Sequence, residues 1–177
     1  MMGKIIIEIS KRKLMVLLLG GIGFVFFSIW FIVKPADFVN FLTRSEAIVF
    51  TVGVVGAIVF GFATIILFIK LFDKKPGLII DQEGIMDNTN SSSVGLIRWS
   101  EITGITTKKI ASTQFILLQV KNPEEYISKA SRLKKLSLRQ NLNSYGTPIT
   151  LTSVGLDCTF SELERLILES YNQSKQN

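Results

Sequence analysis

From Leu14 to Val33 the chain reads LMVLLLGGIGFVFFSIWFIV, and from Ala47 to Ile69 it reads AIVFTVGVVGAIVFGFATIILFI, with no ionisable side chain in either run. At about 1.5 Å of rise per residue each makes a helix of about 30 Å or more, the thickness of a hydrocarbon core. Two such runs would swamp the core of a small soluble domain. The first is also longer than the apolar region of a cleaved leader, and no small-x-small site follows it in WFIVKPADF. The pattern therefore predicts two membrane spans, 14–33 and 47–69, behind a segment 1–13 that has strand character at its start. The loop 34–46 between the spans reads KPADFVNFLTRSE. Pro35 ends the first helix, and Thr43 with Glu46 is spaced as a capping box for the second. Phe38, Phe41 and Leu42 give the loop an apolar side that suits the outer bilayer surface.

After Lys70 the pattern changes. KLFDKKPG, residues 70–77, is a juxtamembrane stop: the linker runs over 70–76, and Pro76 with Gly77 breaks the helix. LIID, QEG and IMD then read as strand, turn and strand, with Gly84 expected at positive φ and Asp81, Glu83 and Asp87 as exposed turn charges. NTNSSS is a loop, and VGLIRW returns as a strand ending at Trp99, a core or rim aromatic. In QFILLQV, Ile116, Leu118 and Val120 alternate with Phe115, Leu117 and Gln119. In TPITLTS, Ile149 and Leu151 alternate with Thr150 and Thr152. Short strands this close together predict a small antiparallel sheet or barrel over 77–177.

Two helical stretches interrupt the strands. Asn122, Pro123, Glu124 and Glu125 place a cap, a first-turn proline and two acids at a positive helix end. SKASRLKKLSLRQ follows, with Lys129, Arg132, Lys134, Lys135 and Arg139 and no acid. A last helix is expected behind Cys158, capped by Ser161 with Glu164 and carrying an apolar stripe of Leu163, Leu166, Ile167 and Tyr171.

Charge sets the orientation. Lys4, Lys11, Arg12 and Lys13 precede the first span and Lys70, Lys74 and Lys75 follow the second, whereas the loop holds only Lys34 and Arg44. The positive-inside rule puts both termini in the cytoplasm. Within the spans Gly53, Ala57 and Gly61 recur every fourth residue, as at close helix contacts within one chain or in a homo-oligomer. Gly20, Gly21 and Gly23 thin the first helix, and GGIG lies too deep in an apolar run to cradle a phosphate. The formal charge of +6 has a nearer partner in anionic lipid headgroups than in nucleic acid, because the lysines cluster at the membrane edges.

Short strands closed by an amphipathic C-terminal helix resemble the pleckstrin-homology-like fold. KPGLIIDQEGIMDNTNSSSVGLIRWSEITGI behind two spans, with IEISKRK before them and SELERLI near the end, resembles a bacterial family of small inner-membrane proteins. That resemblance implies two N-terminal transmembrane helices, a pleckstrin-homology-like cytoplasmic domain and an inner-membrane location. It carries no catalytic residue with it.

The residue inventory also points away from catalysis. There is no histidine, the commonest general base and metal ligand. The single cysteine, Cys158, has no histidine to activate it and reads as a packed thiol. No cofactor, metal site or catalytic group is expected. With no ionisable group inside either span, a transporter acting alone is disfavoured. The expectation is a membrane-anchored binding or adaptor module whose partner is lipid headgroup or another membrane protein. The second reading is an accessory subunit of a transport or secretion assembly.

Overall fold

The computed structural model describes residues 3–39, 45–90 and 92–176. The chain divides into two compact units, one of residues 11–74 and the other of residues 1–10 together with 75–177.

The first unit is a helical hairpin. Helix α1 spans Lys11–Val33 and α2 spans Glu46–Leu71, so Lys11, Arg12, Lys13 and Lys70 are helical as well. Both are long and apolar enough to cross a membrane. Most of their large apolar side chains face outward, unlike those of a soluble core helix: Phe26 is 62% exposed and Ile58 67%. Pro35 opens a short 3-10 turn, Pro35–Phe38. The Phe38 ring folds back on Trp30 and Phe31, with centroids 5.4 and 4.5 Å away. Phe41 and Leu42 lie outside the described residues, as does Thr43. The α2 cap is Ser45, which puts Glu46 at the first helical position rather than the third, where a capping box needs it.

The helices meet along a seam that sequence spacing located only in part. A Cβ on Gly53 would lie 2.9 Å from Ser28 O and from Phe31 Cβ, and one on Gly56 would lie 2.6 Å from Ser28 Oγ. Phe24 stacks on Phe60 at 4.6 Å. Gly21 meets Thr64, with 2.6 Å to its Oγ1. The α2 seam thus runs 53, 56, 60, 64, a spacing of three and four that keeps one face of a helix toward its neighbour. Ala57 lies beside this line, half-buried, and Gly61 has nothing within 4 Å of its Cβ direction.

Among the described residues the second unit holds seven strands. β1 (Ile5–Ile7), β2 (Leu78–Ile80), β3 (Gly84–Asp87) and β4 (Gly95–Arg98) form one antiparallel meander. β5 (Ile102–Ile110), β6 (Thr113–Val120) and β7 (Ile149–Leu151) form another. β1 pairs with β2 across the whole helical hairpin, Ile7 opposite Leu78 and Ile5 opposite Ile80. Beyond β1 the chain stays paired: Glu8 O accepts from Asp157 N at 2.9 Å, and Ser10 N donates to Gly155 O at 2.9 Å. Residues 5–10 therefore belong to the strand-rich unit.

β5 is the longest strand, yet its ITGITTKKI does not announce itself. It bonds to one neighbour only, its Thr and Lys side chains face water, and a bulge interrupts it between Ile102 and Gly104. From Thr106 to Lys109 the residues on both faces of the strand are exposed, so no apolar alternation marks it. Gly84 needs no positive φ; among the described residues only Gly95, Gly146 and Ala111 adopt it. Its requirement is spatial, since a Cβ there would sit 2.1 Å from Ile97 O.

The main core lies between the two sheets and α5 (Phe160–Ser174). Ile80, Ile85 and Ile97 enter it from one sheet, Ile116, Leu118 and Leu151 from the other, and Leu163 and Ile167 from α5; all are fully buried. The α5 cap is Thr159, whose Oγ1 accepts from Glu162 N at 3.2 Å, two residues earlier than the expected Ser161. The stripe is accordingly Leu163, Ile167 and Tyr171, with Leu166 at its margin. Between β6 and β7 run α3 (Pro123–Lys129) and α4 (Arg132–Tyr145). Asn122 caps α3 by position and Pro123 opens it, as expected, but the Asn122 side chain makes no cap bond.

Ile167→Asp should destabilise this unit by several kcal/mol, because it puts a charge into a fully buried site. Leu166→Asp, at the margin, should cost far less. Equal protease resistance of the two variants would contradict this packing.

Candidate functional site

The five basic residues singled out by the sequence do not act as one group. Lys129 closes α3 and donates to Glu125 Oε1 at 2.6 Å. That ammonium holds the Glu125 carboxyl below the usual carboxylate range, and the pair is neutral together. Lys134 donates to Ser93 O at 2.9 Å. Arg132 and Arg139 are exposed and Lys135 is half-buried; among the described residues none of the three has an acidic partner. Of the membrane-flank cations, Lys70 pairs with Asp73 at 2.8 Å.

What fixes the α4 face is the second sheet. Leu117 is buried although its neighbours Ile116 and Leu118 enter the main core, so both faces of β6 are covered. Across from Leu117 stands Thr150, toward whose Oγ1 Asn141 Nδ2 donates at 3.5 Å, while the same amide donates to Pro148 O at 3.2 Å. α4 therefore lies on the face of this sheet opposite α5, with Leu138 buried beneath it. Gly146, at φ 74°, ends it and donates to Leu142 O. The outward face then carries Leu133 and Leu136, 71% and 70% exposed, among Arg132, Lys135 and Arg139. The charge count alone did not single out these leucines; their alternation with cations in RLKKLSLRQ is the signal.

Beside this helix a groove of about 380 Å³ runs between Ser93, Val94, Gly95, Tyr126 and Lys134. Tyr126 donates to Glu101 Oε2, and burial, reinforced by that bond, raises the phenol above the ordinary tyrosine pKa. A second, wider cleft of about 1010 Å³ lies between Gln82, Arg98, Trp99, Lys121, Tyr171 and Lys175. Trp99 Nε1 donates to Asp81 O at 2.8 Å, and Tyr171 Oη to Ile102 O at 3.3 Å. Lys175 Nζ sits 4.4 Å from the Tyr171 ring centroid. Arg98 reaches Glu83 at 3.3 Å, with both side chains more than half exposed. This is an open surface carrying Arg98, Lys121 and Lys175 with one acid, Glu83, and not an enclosed cavity.

The carboxylates expected on an exposed turn divide. Asp81 Oδ1 accepts from Glu83 N and Gly84 N at 2.9 and 3.3 Å, and so braces the turn. Asp87 is buried, a correction to the expected exposure: its Oδ1 accepts from Thr89 N and Thr89 Oγ1 at 2.9 and 2.7 Å. The fold buries Asp87 because β3 alternates inward there and Thr89 satisfies it. Cys158 is half-buried against the main core. Among the described residues no three His, Cys, Asp or Glu side chains cluster as metal ligands.

The neutral Tyr126 phenol is favoured in the folded state, so its contribution is complete below the ordinary tyrosine pKa of about 10 and is lost as pH climbs through the raised value. Tyr126→Phe should cost about 1 kcal/mol at neutral pH, and it should remove a phase displaced to high pH from a tyrosinate absorbance titration. A titration curve identical in parent and variant would exclude this.

Comparison with family models, with curated proteins and with solved structures returns no match to this chain.

Proposed function

We propose that this protein is a membrane-anchored, non-enzymatic binding module, a pleckstrin-homology-like domain held at the cytoplasmic face of a bacterial inner membrane. The observation that carries the reading is the pairing of β1 with β2 on either side of the two apolar helices. Strands of one sheet must lie on the same side of a membrane, so the helices between them cross it together or not at all. Their length and outward-facing apolar surface favour crossing. The excess of cations on the strand-bearing flanks favours the cytoplasm.

The fold assignment is supported by a four-stranded meander, a three-stranded meander and a C-terminal helix that fills the space between them. Three carboxylates near the candidate surfaces are engaged structurally: Asp81 in a turn, Asp87 with Thr89 and Glu101 with Tyr126. What remains for partners is surface, namely the open cleft at Trp99 and the outward face of α4. A domain joined to the bilayer through both β1 and β2 offers these surfaces with less rotational freedom than one on a single tether, which lowers the entropy lost on binding.

A second reading, an accessory subunit of a larger membrane assembly, is favoured by the glycines that the seam leaves unused. Gly20, Gly23 and Gly61 have nothing within 4 Å of a Cβ position, and small residues on an outer helix face admit another helix closely.

A reporter fused behind residue 177 should be active only in the cytoplasm; periplasmic activity would overturn the topology. Removing residues 3–9 should lower the protease resistance of the strand-rich unit. Ile7 and Ile9 are buried in it, and losing two such side chains costs several kcal/mol, at about 1.5–3 kcal/mol each. An unaffected unit would mean that β1 is dispensable and that the anchoring runs through α2 alone.

A further inference from the structure

We infer that the outward face of α4 docks on an anionic lipid surface, Leu133 and Leu136 entering the headgroup region while Arg132, Lys135 and Arg139 hold the lipid phosphates. The inference rests on the anchored-module reading and names the partner of one of its surfaces.

Solitary exposed leucines are ordinary on a soluble protein. Here two stand three residues apart on one helix face, each about 70% exposed. At about 100° per residue Leu136 is central, Leu133 lies to one side, and Arg132 and Arg139 lie to the other. Lys135 sits at the edge of the same arc. α4 contains no acid, and none of these three cations is neutralised from another element among the described residues. An acidic protein groove would satisfy the cations, but it would take the leucines only if it were apolar at the same depth. A bilayer interface supplies both layers at that spacing, anionic above and apolar below, and amphipathic helices lie in it with the apolar side about 5–10 Å deep. The helix is also held from behind. Leu138 is buried, Asn141 is bonded to the β7 strand region and Lys134 to Ser93 O, so docking requires no refolding. Lys129 stands outside the set because Glu125 neutralises it, which separates a built face from mere net charge.

The test uses the full chain with Cys158→Ala and a nitroxide on Leu136→Cys, reconstituted in nanodiscs of phosphatidylcholine alone or mixed with phosphatidylglycerol. In the anionic discs the label should gain collisions with oxygen and lose access to a water-soluble nickel chelate. A label on Glu169→Cys, on α5 across the sheet, should stay chelate-accessible. Reversing Arg132, Lys135 and Arg139 together to Glu should shift the docked-to-free ratio roughly a hundredfold toward free. Glu125→Gln with Lys129→Gln, which removes a neutral pair without changing the net charge, should leave it nearly unchanged. Equal chelate access at Leu136→Cys in both lipids would overturn the proposal, and so would an equal effect from the charge-neutral Glu125→Gln, Lys129→Gln double variant. Protection found in native membrane vesicles but not in anionic discs would assign the face to a protein instead. Failure of the chain to enter discs at all would overturn the anchored-module reading, and this inference with it. Normal incorporation with an open label would overturn the docking alone.

Discussion

The pairing of β1 with β2 is the constraint on which the rest depends. Ile7 and Leu78 are partners although the entire helical hairpin separates them, and closing so long a loop carries an entropic cost. The hairpin reduces that cost, because antiparallel helices bring their own ends together. Within the hairpin the close contacts of Gly53 and Gly56 with Ser28, and of Gly21 with Thr64, set which residues of the two arms stand level with each other.

The same constraint explains the density of small residues and braces where the chain re-enters the sheet. A Cβ on Gly77 would lie 2.4 Å from Leu156 and 3.2 Å from Ile9, so the turn into β2 closes tightly under the segment that β1 continues into. Asn88 N returns to Gly77 O at 2.9 Å and Asn88 Nδ2 to Pro76 O at 3.3 Å. The main core, shared by both sheets and α5, is therefore closed off by residues 7–10 as well as by the C-terminal helix. One unit thus depends on chain from both sides of the hairpin.

The insertion between β6 and β7 serves a different end. α3 and α4 cover the outer face of the second sheet, burying Leu117, Ile127 and Leu138 outside the main core cluster. That cover leaves one helix face with no intramolecular duty. Cations in this region divide into those held by the fold, Lys129 by Glu125 and Lys134 by Ser93 O, and those that point away from it. A net charge of +6 carries no such division; only the partners of each side chain do.

The sequence by itself determined the elements whose signal is local. Twenty or more uncharged residues in a row specify a span-length helix, Pro123 specifies where α3 starts, and alternation at Ile149 and Leu151 specifies β7. It missed what depends on distant neighbours. β5 is exposed on both faces from Thr106 to Lys109, so no periodicity records it. Ser161 and Thr159 are both plausible caps until the packing of Leu163 and Ile167 chooses the helix phase. Gly84 looks like a turn residue, yet what requires it is the carbonyl of Ile97 on the next strand. Tertiary structure alone decided that residues 5–10 join the strand-rich unit and that Leu133 and Leu136 stay outside its core. Both follow from long-range pairing, which a sequence expresses only once the chain has closed on itself.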